Sequence, residues 1–361
     1  MSNEWKQRPE GGSALSIRMI RGIGRYGGRG LARLFLFPIT AYFVLRRPGE
    51  RRGSRDYLTR VLGRPASLGD VARHIHTFAS TILDRVFLLS EDTRRFAVDI
   101  RGVDRVHAQL DKGRGALLFG SHLGSFEVLR VLARRRPEYT IRVVLDKGHN
   151  PTMTQLLDAL NPQIASTVID ASQDGPTLML AIKEAADQGA LIALLVDRTQ
   201  PGDAAVAVDF FGEPALFPTA PWLLASVLKV PVCLAFGLYH GGNRYSLEFE
   251  EFSDGIHIPR QQRAAGIAAL IQRYATRLEH YTRQAPYNWF NFYDFWDSHS
   301  ERIDSEGINS AGSNDQPGAA PATAPAAVVG SGVDETAVDA TAGDRTDHDD
   351  AARQQHGFRR G

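Results

Sequence analysis

Cysteine is almost absent. A single one, Cys233, rules out an intramolecular disulfide, so no covalent staple holds this chain of 361 residues. It lies in the apolar run Val-Pro-Val-Cys-Leu-Ala-Phe, reads as a small core residue and suits a reducing compartment. Net charge is scarce too: 42 Lys/Arg against 41 Asp/Glu leave +1. Unbroken apolar stretches are short. Residues 34–45 form an apolar run whose twelve residues would reach roughly 18 Å as a helix, against about 30 Å of hydrocarbon core. That run comes late, follows several arginines and lacks a small-residue cleavage pattern, which argues against a secretory leader. The chain has no Walker loop, no His-Glu-x-x-His, no Gly-x-Ser-x-Gly and no cluster of metal-ligand residues, so no cofactor and no metal is expected. Gly22-Ile-Gly24-Arg-Tyr-Gly27 matches a dinucleotide fingerprint as text, but it lacks the preceding strand and the acid about twenty residues on.

The near-zero sum hides an asymmetry. Residues 1–65 carry 14 Lys/Arg against 4 acids, and residues 301–361 carry 11 acids against 5 bases. Arg18, Arg21, Arg25, Arg29 and Arg33 recur every three or four residues and gather on one helical face, with apolar residues mostly opposite. A basic amphipathic helix of this kind reads as a membrane-surface element. Residues 14–48 are therefore expected to associate with a membrane, the run at 34–45 dipping into one leaflet, bent at Pro38, rather than spanning it. A helix docked on the core and a short, distorted transmembrane anchor that includes residues upstream of Arg33 are the competing readings. Positive charge confined to such a segment speaks against nucleic acid as a partner. Residues 1–13 and the acidic, Ala/Gly/Ser/Pro-rich tail 298–361 cannot bury enough apolar surface to order themselves and are expected to be disordered.

The middle, 50–297, reads as one α/β domain: helical over 50–110, then alternating strands and helices over 111–297, the part that carries the candidate site residues below. Apolar residues from Leu58 to Phe87 have the spacing of packed helices. From Gly115 strands and helices alternate. Strands are expected at 115–120, 140–145, 167–170, 190–196, 232–238 and 245–252. Helices are expected at 125–135, 151–160, 175–188, 219–228 and 260–284. That order implies a central, mostly parallel sheet flanked by helices. The run Ala-Leu-Ile-Ala-Leu-Leu-Val at 190–196 has the composition of a strand buried on both faces.

Ser121-His122-Leu123-Gly124-Ser125-Phe126-Glu127 stands where a strand ends and a helix begins, the place where open α/β sheets bind ligands. Residues five apart do not share a helical face, so His122 and Glu127 can meet only if the histidine lies in the turn, which Gly120 and Gly124 ease. A carboxylate holding one ring nitrogen would free the other to take a proton from a hydroxyl. Among eleven histidines an acid five positions on is expected about once by chance. It occurs twice; the second pair, His299 and Asp304, has no strand or glycine turn before it.

With its neighbours, the segment 120–127 resembles the first motif of the lysophospholipid acyltransferase superfamily, His followed after four residues by Asp or Glu. Its His-Leu-Gly-(polar)-aromatic-Glu form is similar to the branch that contains the bacterial lipid A late acyltransferases and the mycobacterial phosphatidylinositol mannoside acyltransferases. Three further segments support that branch: Leu194-Leu-Val-Asp197-Arg198; Asp209-Phe-Phe-Gly-Glu-Pro214 followed by Phe217-Pro-Thr219; and the closing aromatic stretch from Pro286 through Trp289 to Trp296. The resemblance covers roughly residues 20 to 297. Departures fall at Ser125, where the family often has Asn, at Lys147, the best stand-in for a family arginine, and at Tyr293-Asp294.

The resemblance implies direct transfer of a fatty acyl chain from a thioester to an acceptor hydroxyl, with His122 as general base and Glu127 holding it. Backbone N–H groups at Gly124 and Ser125 are the oxyanion candidates. Arg198 and Lys147 are candidates for gripping phosphate or carboxylate groups; both also suit surface ion pairs. Asp197, Ser125, Phe211, Gly212 and Thr219 complete the expected substrate-binding set, although Asp197 fits a helix cap and the Phe-Phe-Gly turn a plain core role. Implied partners are acyl carrier protein, or acyl-CoA, and a membrane lipid or glycolipid at the cytoplasmic face of a bacterial inner membrane. A lipid-surface thioesterase and a non-enzymatic membrane-binding protein are the rival readings.

Overall fold

The computed structural model describes residues 28–296 apart from 90–92, 112, 130, 132–138, 149–153, 156, 158–164 and 201. The expected disordered ends, most of the arginine-rich face, the glycine fingerprint at 22–27 and the His299–Asp304 pair lie outside the described residues, as does most of the helix expected at 151–160.

Four helices come first: α1 (Gly28–Leu34), α2 (Leu36–Arg46), α3 (Pro48–Leu62) and α4 (Leu68–Leu89). The α1–α2 break falls at Phe35 because Pro38 has no N–H to donate to the carbonyl of Leu34, four residues back. α4 starts at a reciprocal cap. The Ser67 backbone N–H donates to Asp70 Oδ2 at 2.9 Å, and the Asp70 N–H donates to Ser67 Oγ at 3.1 Å. α4 buries Val71, Ile75, Leu83, Phe87 and Leu88, the spacing of one apolar face.

The sheet has seven strands: β1 (Ala97–Arg101), β2 (Ala116–Gly120), β3 (Ile141–Leu145), β4 (Val168–Asp170), β5 (Leu191–Leu195), β8 (Val232–Tyr239) and β9 (Arg244–Ser253), in the order β1-β9-β8-β2-β5-β3-β4. Between β5 and β8 in the chain, β6 (Ala205–Phe210) and β7 (Glu213–Pro218) form a separate antiparallel hairpin. β8, β2, β5, β3 and β4 are parallel; β9 runs against β8, and β1 runs with β9. Helices α5 (Val103–Leu110), α6 (Gly175–Asp187), α7 (Ala220–Leu228) and α8 (Arg263–Gln284) fill the connections. The expected α/β class with a mostly parallel sheet is the observed one. β2 and the first four residues of β5 are buried, because central parallel strands are covered on both faces.

The helical stretch expected over 50–110 needs correction at 97–101. Ala-Val-Asp-Ile-Arg is an edge strand whose partner, Arg244–Glu248, is about 150 residues away. Five residues with only Val98 fully buried carry too little periodicity to reveal a pairing that distant. The helix expected from 125 begins as a 3-10 turn, Phe126–Val128.

The N-terminal helices α1 and α2 dock on one face only. Ala32, Leu36, Thr40 and Val44, four residues apart, are buried, whereas Leu34 is 63%, Phe37 63% and Leu45 72% exposed. Gly28–Arg46 is long and apolar enough, by length and composition, to cross a membrane. One side of this segment is a docked core face, as the docked-helix reading expects, and the other is an uncovered apolar one. The clamp is polar. Arg29 Nε and Nη2 reach the two oxygens of buried Asp84 at 2.7 Å each, and Tyr245 donates to the same carboxylate at 2.9 Å. Arg33 Nη1 reaches the carbonyl of Gly242 at 3.1 Å. Gly242 lies in the turn after β8, so α1 meets the sheet at the carboxyl edge of its parallel strands.

Candidate active site

β2 ends at Gly120, and the chain then turns sharply across the sheet edge. Leu123 bridges Trp289 and Gly124 bridges Gly237 of β8. Gly124 has φ +75°, and a Cβ there would overlap the carbonyl of Gly237. Only glycine lets the turn lie so close to β8. The closing segment then lies over it: Gly124 N–H donates to Asn288 O at 2.8 Å, and Phe290 N–H donates to His122 O at 2.9 Å. Asn288 is itself fixed, accepting from Tyr239 N–H at 2.7 Å and donating to Tyr239 O at 3.1 Å.

His122 is thereby held in the turn, its side chain 35% exposed. Its Nδ1 lies 2.8 Å from Asp197 Oδ1, and its backbone N–H donates to Asp197 Oδ2 at 3.0 Å. Trp289 Nε1 donates to the same Oδ2 at 3.0 Å. Asp197 is fully buried. Burial works against its charge, but His122, Arg198 and the Trp289 donor together hold its pKa down to about 2. The carboxylate therefore accepts from Nδ1–H, which leaves the Nε2 lone pair available. Among the described residues the one side-chain hydrogen bond of His122 is the Nδ1 contact to Asp197. The ring's own pKa is lowered, first by the surrounding protein, then by Arg198 and more weakly by Arg85, with Asp197 opposing. The neutral base form is favoured.

The expected pairing of His122 with Glu127 is therefore corrected: the ring is held by Asp197. Glu127 sits in the 3-10 turn and faces α4. Its Oε1 lies 2.6 Å from Arg85 Nε, and its Oε2 accepts from Ser125 Oγ at 2.9 Å. The reason is strand adjacency. β2 and β5 are parallel neighbours with Gly120 opposite Leu195, so their carboxyl ends bring His122 and Asp197 side by side across 75 residues of chain. Spacing within one segment carries no trace of that. The signal that was present is the position of Asp197 just past a fully apolar strand.

The backbone oxyanion candidates are also corrected. Gly124 N–H is committed to Asn288 O, and Ser125 N–H to Gly237 O at 2.8 Å. These groups point into the sheet because the turn is stitched to β8 and to the closing segment instead of opening a free helix end. Arg198 stays close to the ring: its Nη2 donates to Phe290 O at 2.6 Å, and its guanidinium carbon lies 5.6 Å from the centre of the Tyr293 ring. Lys147 follows β3, which β5 separates from β2, and its N–H donates to Asp170 Oδ1 at 3.2 Å.

Phe211 and Gly212 form the two-residue β6–β7 turn, both with positive φ, 57° and 82°, the pattern of a type I′ hairpin. The Phe211 N–H donates to Glu279 Oε1 at 2.5 Å, and Arg283 of α8 lies over its ring at 4.8 Å. Thr219 spends its hydroxyl on Ala204 O at 3.1 Å, tying the base of the hairpin to the start of α7. Reading the sequence missed Arg85, which belongs to no segment with a chemical pattern of its own, and it placed Trp289 in the closing aromatic motif without giving its indole a role in holding Asp197. His74, fully buried, is structural: Ser54 Oγ and Trp289 O occupy its two nitrogens at 2.8 and 2.9 Å, and burial lowers its pKa to about 4. Among the described residues no group of three His, Cys, Asp or Glu is placed to hold a metal ion.

No curated protein matches this chain. The family profile described as bacterial lipid A biosynthesis acyltransferase matches residues 70–298, which is more than half of the chain and takes in His122, Glu127, Asp197, Arg198 and Trp289. With an imidazole–carboxylate pair at the carboxyl edge of a mostly parallel sheet and a family match spanning that whole edge, the chain belongs to the bacterial lipid A biosynthesis acyltransferase family.

Proposed function

We propose that the protein transfers a fatty acyl chain from an acyl thioester, acyl carrier protein before acyl-CoA, to a hydroxyl of a membrane lipid or glycolipid at the cytoplasmic face of the inner membrane. The observation that carries this reading is the 2.8 Å contact between His122 Nδ1 and Asp197 on a ring that is still one-third exposed. Asp197 orients the ring, and Nε2 takes the proton from the acceptor hydroxyl as its oxygen attacks the thioester carbon. The nucleophile is the substrate's own oxygen, so no acyl-enzyme forms. Glu127 acts at one remove: it offsets the charge of Arg85, which otherwise depresses the basicity of His122. Exposed Arg46, Arg52 and Arg55 favour an acidic carrier as the donor. Lys147 is a candidate for an acceptor phosphate. Phe211, Gly212 and Thr219 would act only by shaping the hairpin.

The full chain reconstituted in vesicles with acyl carrier protein thioester and a glycolipid acceptor should yield acylated lipid, detected by mass spectrometry, and faster than with acyl-CoA. Free fatty acid with no acylated lipid would make the protein a thioesterase. An unconsumed thioester would leave a membrane-binding protein.

The uncovered face of α2 supports membrane association. Burying a large apolar side chain contributes about 1.5–3 kcal/mol. Phe37→Glu combined with Leu45→Glu, two exposed positions whose loss costs the fold little, should weaken partition onto vesicles at least tenfold, read by sedimentation. Unchanged partition would move the membrane contact elsewhere.

A further inference from the structure

We propose that the Arg198 guanidinium is the group that holds the oxyanion formed on the thioester carbonyl. This rests on the acyl-transfer reading above and assigns a catalytic residue within it. The need comes from the backbone. The two backbone N–H groups that the sequence reading offered for an oxyanion are both engaged, Gly124 N–H to Asn288 O and Ser125 N–H to Gly237 O, and His122 N–H is spent on Asp197. The usual device, paired main-chain donors at a turn, is therefore not offered by Gly124 and Ser125.

Arg198 stands in the right place for a substitute. It follows Asp197, which holds Nδ1 of the ring. On its other side a single residue links it to the same histidine: Phe290 donates its N–H to His122 O at 2.9 Å and accepts from Arg198 Nη2 through its carbonyl at 2.6 Å. The plane is steadied by the Tyr293 ring. The guanidinium is also short of partners. Of its five N–H groups, one is matched to Phe290 O, and Nε is buried with no acceptor among the described residues. Asp197, the nearest carboxylate in sequence, has both oxygens taken by His122 and Trp289. A half-buried cation with spare donors is costly unless an anion completes it. In the proposed reaction the anion exists only in passing. The acceptor oxygen bonds to the carbonyl carbon, its proton goes to His122 Nε2, and the carbonyl π pair moves onto oxygen beside Arg198. Collapse restores the double bond and breaks C–S, and the departing thiolate takes the proton back from His122. Arg198 remains protonated throughout.

The test uses the full chain in vesicles with Arg198→Ala, Arg198→Lys and His122→Asn. Loss of the cation should lower kcat about 10²–10³-fold with KM of the thioester within about threefold, and lysine should recover part of it. A tetrahedral phosphonate analogue of the acyl group should lose affinity by the same factor, while a thioether analogue of the ground state binds as before. Thermal melts identify a variant that has not folded, in which case Arg198→Lys carries the comparison. A raised KM with unchanged kcat, or equal losses for both analogues, would overturn the proposal in favour of a ground-state anion clamp. Unchanged kinetics would remove Arg198 from the chemistry. If His122→Asn abolishes turnover and Arg198→Ala does not, this inference alone fails; if both variants stay active, the acyl-transfer reading has failed first.

Discussion

His122→Asn should abolish measurable acyl transfer, a fall of about 10²–10⁴-fold in kcat/KM, while leaving the fold intact. Asparagine is the informative choice. Its amide nitrogen lies where Nδ1 lies, so it can still donate to Asp197 Oδ1, and the backbone bond from residue 122 to Oδ2 is untouched. What disappears is Nε2, the nitrogen not engaged by Asp197. Alanine would confound this, because it leaves a buried carboxylate one donor short at a cost of about 1–3 kcal/mol. The measurement is acylated lipid formed per unit time, with a thermal melt as control. A variant that folds normally and transfers at the parental rate would remove the imidazole from the chemistry.

Asp197→Asn is expected to be nearly as damaging, about 10⁴-fold in kcat, since an amide can present its NH₂ to Nδ1 and favour the wrong tautomer. The contrast with Glu127→Gln separates the two carboxylates. Glu127 meets Arg85 and Ser125, so its loss should act through the charge balance around the ring and cost far less. The pH profile gives an independent sign. The pKa of His122 lies below the ordinary histidine value of about 6.5, because the surrounding protein, Arg198 and Arg85 outweigh Asp197. The base works when neutral, so activity should persist to lower pH than an unshifted histidine allows. Asp197, with its pKa held to about 2, stays ionised across that range and adds no limb of its own. Removing its charge deletes the one influence that raises the ring's pKa. The acid limb of the residual activity should therefore move further down. A limb that moved up, or a Glu127→Gln loss as deep as that of Asp197→Asn, would return the orienting role to Glu127.

Much of this was legible in one dimension, and the pattern of successes has a physical cause. The strand at 190–196, the turn at Phe211-Gly212 and the helix at 263–284 all follow from local periodicity and turn chemistry. The apolar face at 34–45 was legible for the same reason, although its other side proved to be docked on α4. β1 was not legible, because an edge strand of five residues draws its identity from a partner far along the chain. The same limit applied inside the site. The segment 121–127 held both a base and an acid, and the acid that holds the base came from elsewhere.

The sequence by itself determined the α/β class, the position of His122 where a strand ends, the membership of Asp197, Arg198 and Trp289 in the same signature, and the basic, apolar N-terminal segment. These depend on residues close together in the chain or on the order of motifs along it. Only the tertiary structure decided which carboxylate reaches the ring, which N–H groups are already spent, and which arginine is left with donors to offer. Those are matters of which strand ends lie side by side. Parallel pairing of β2 with β5, and the closing segment laid over the turn, decide them through contacts spanning 75 residues and more.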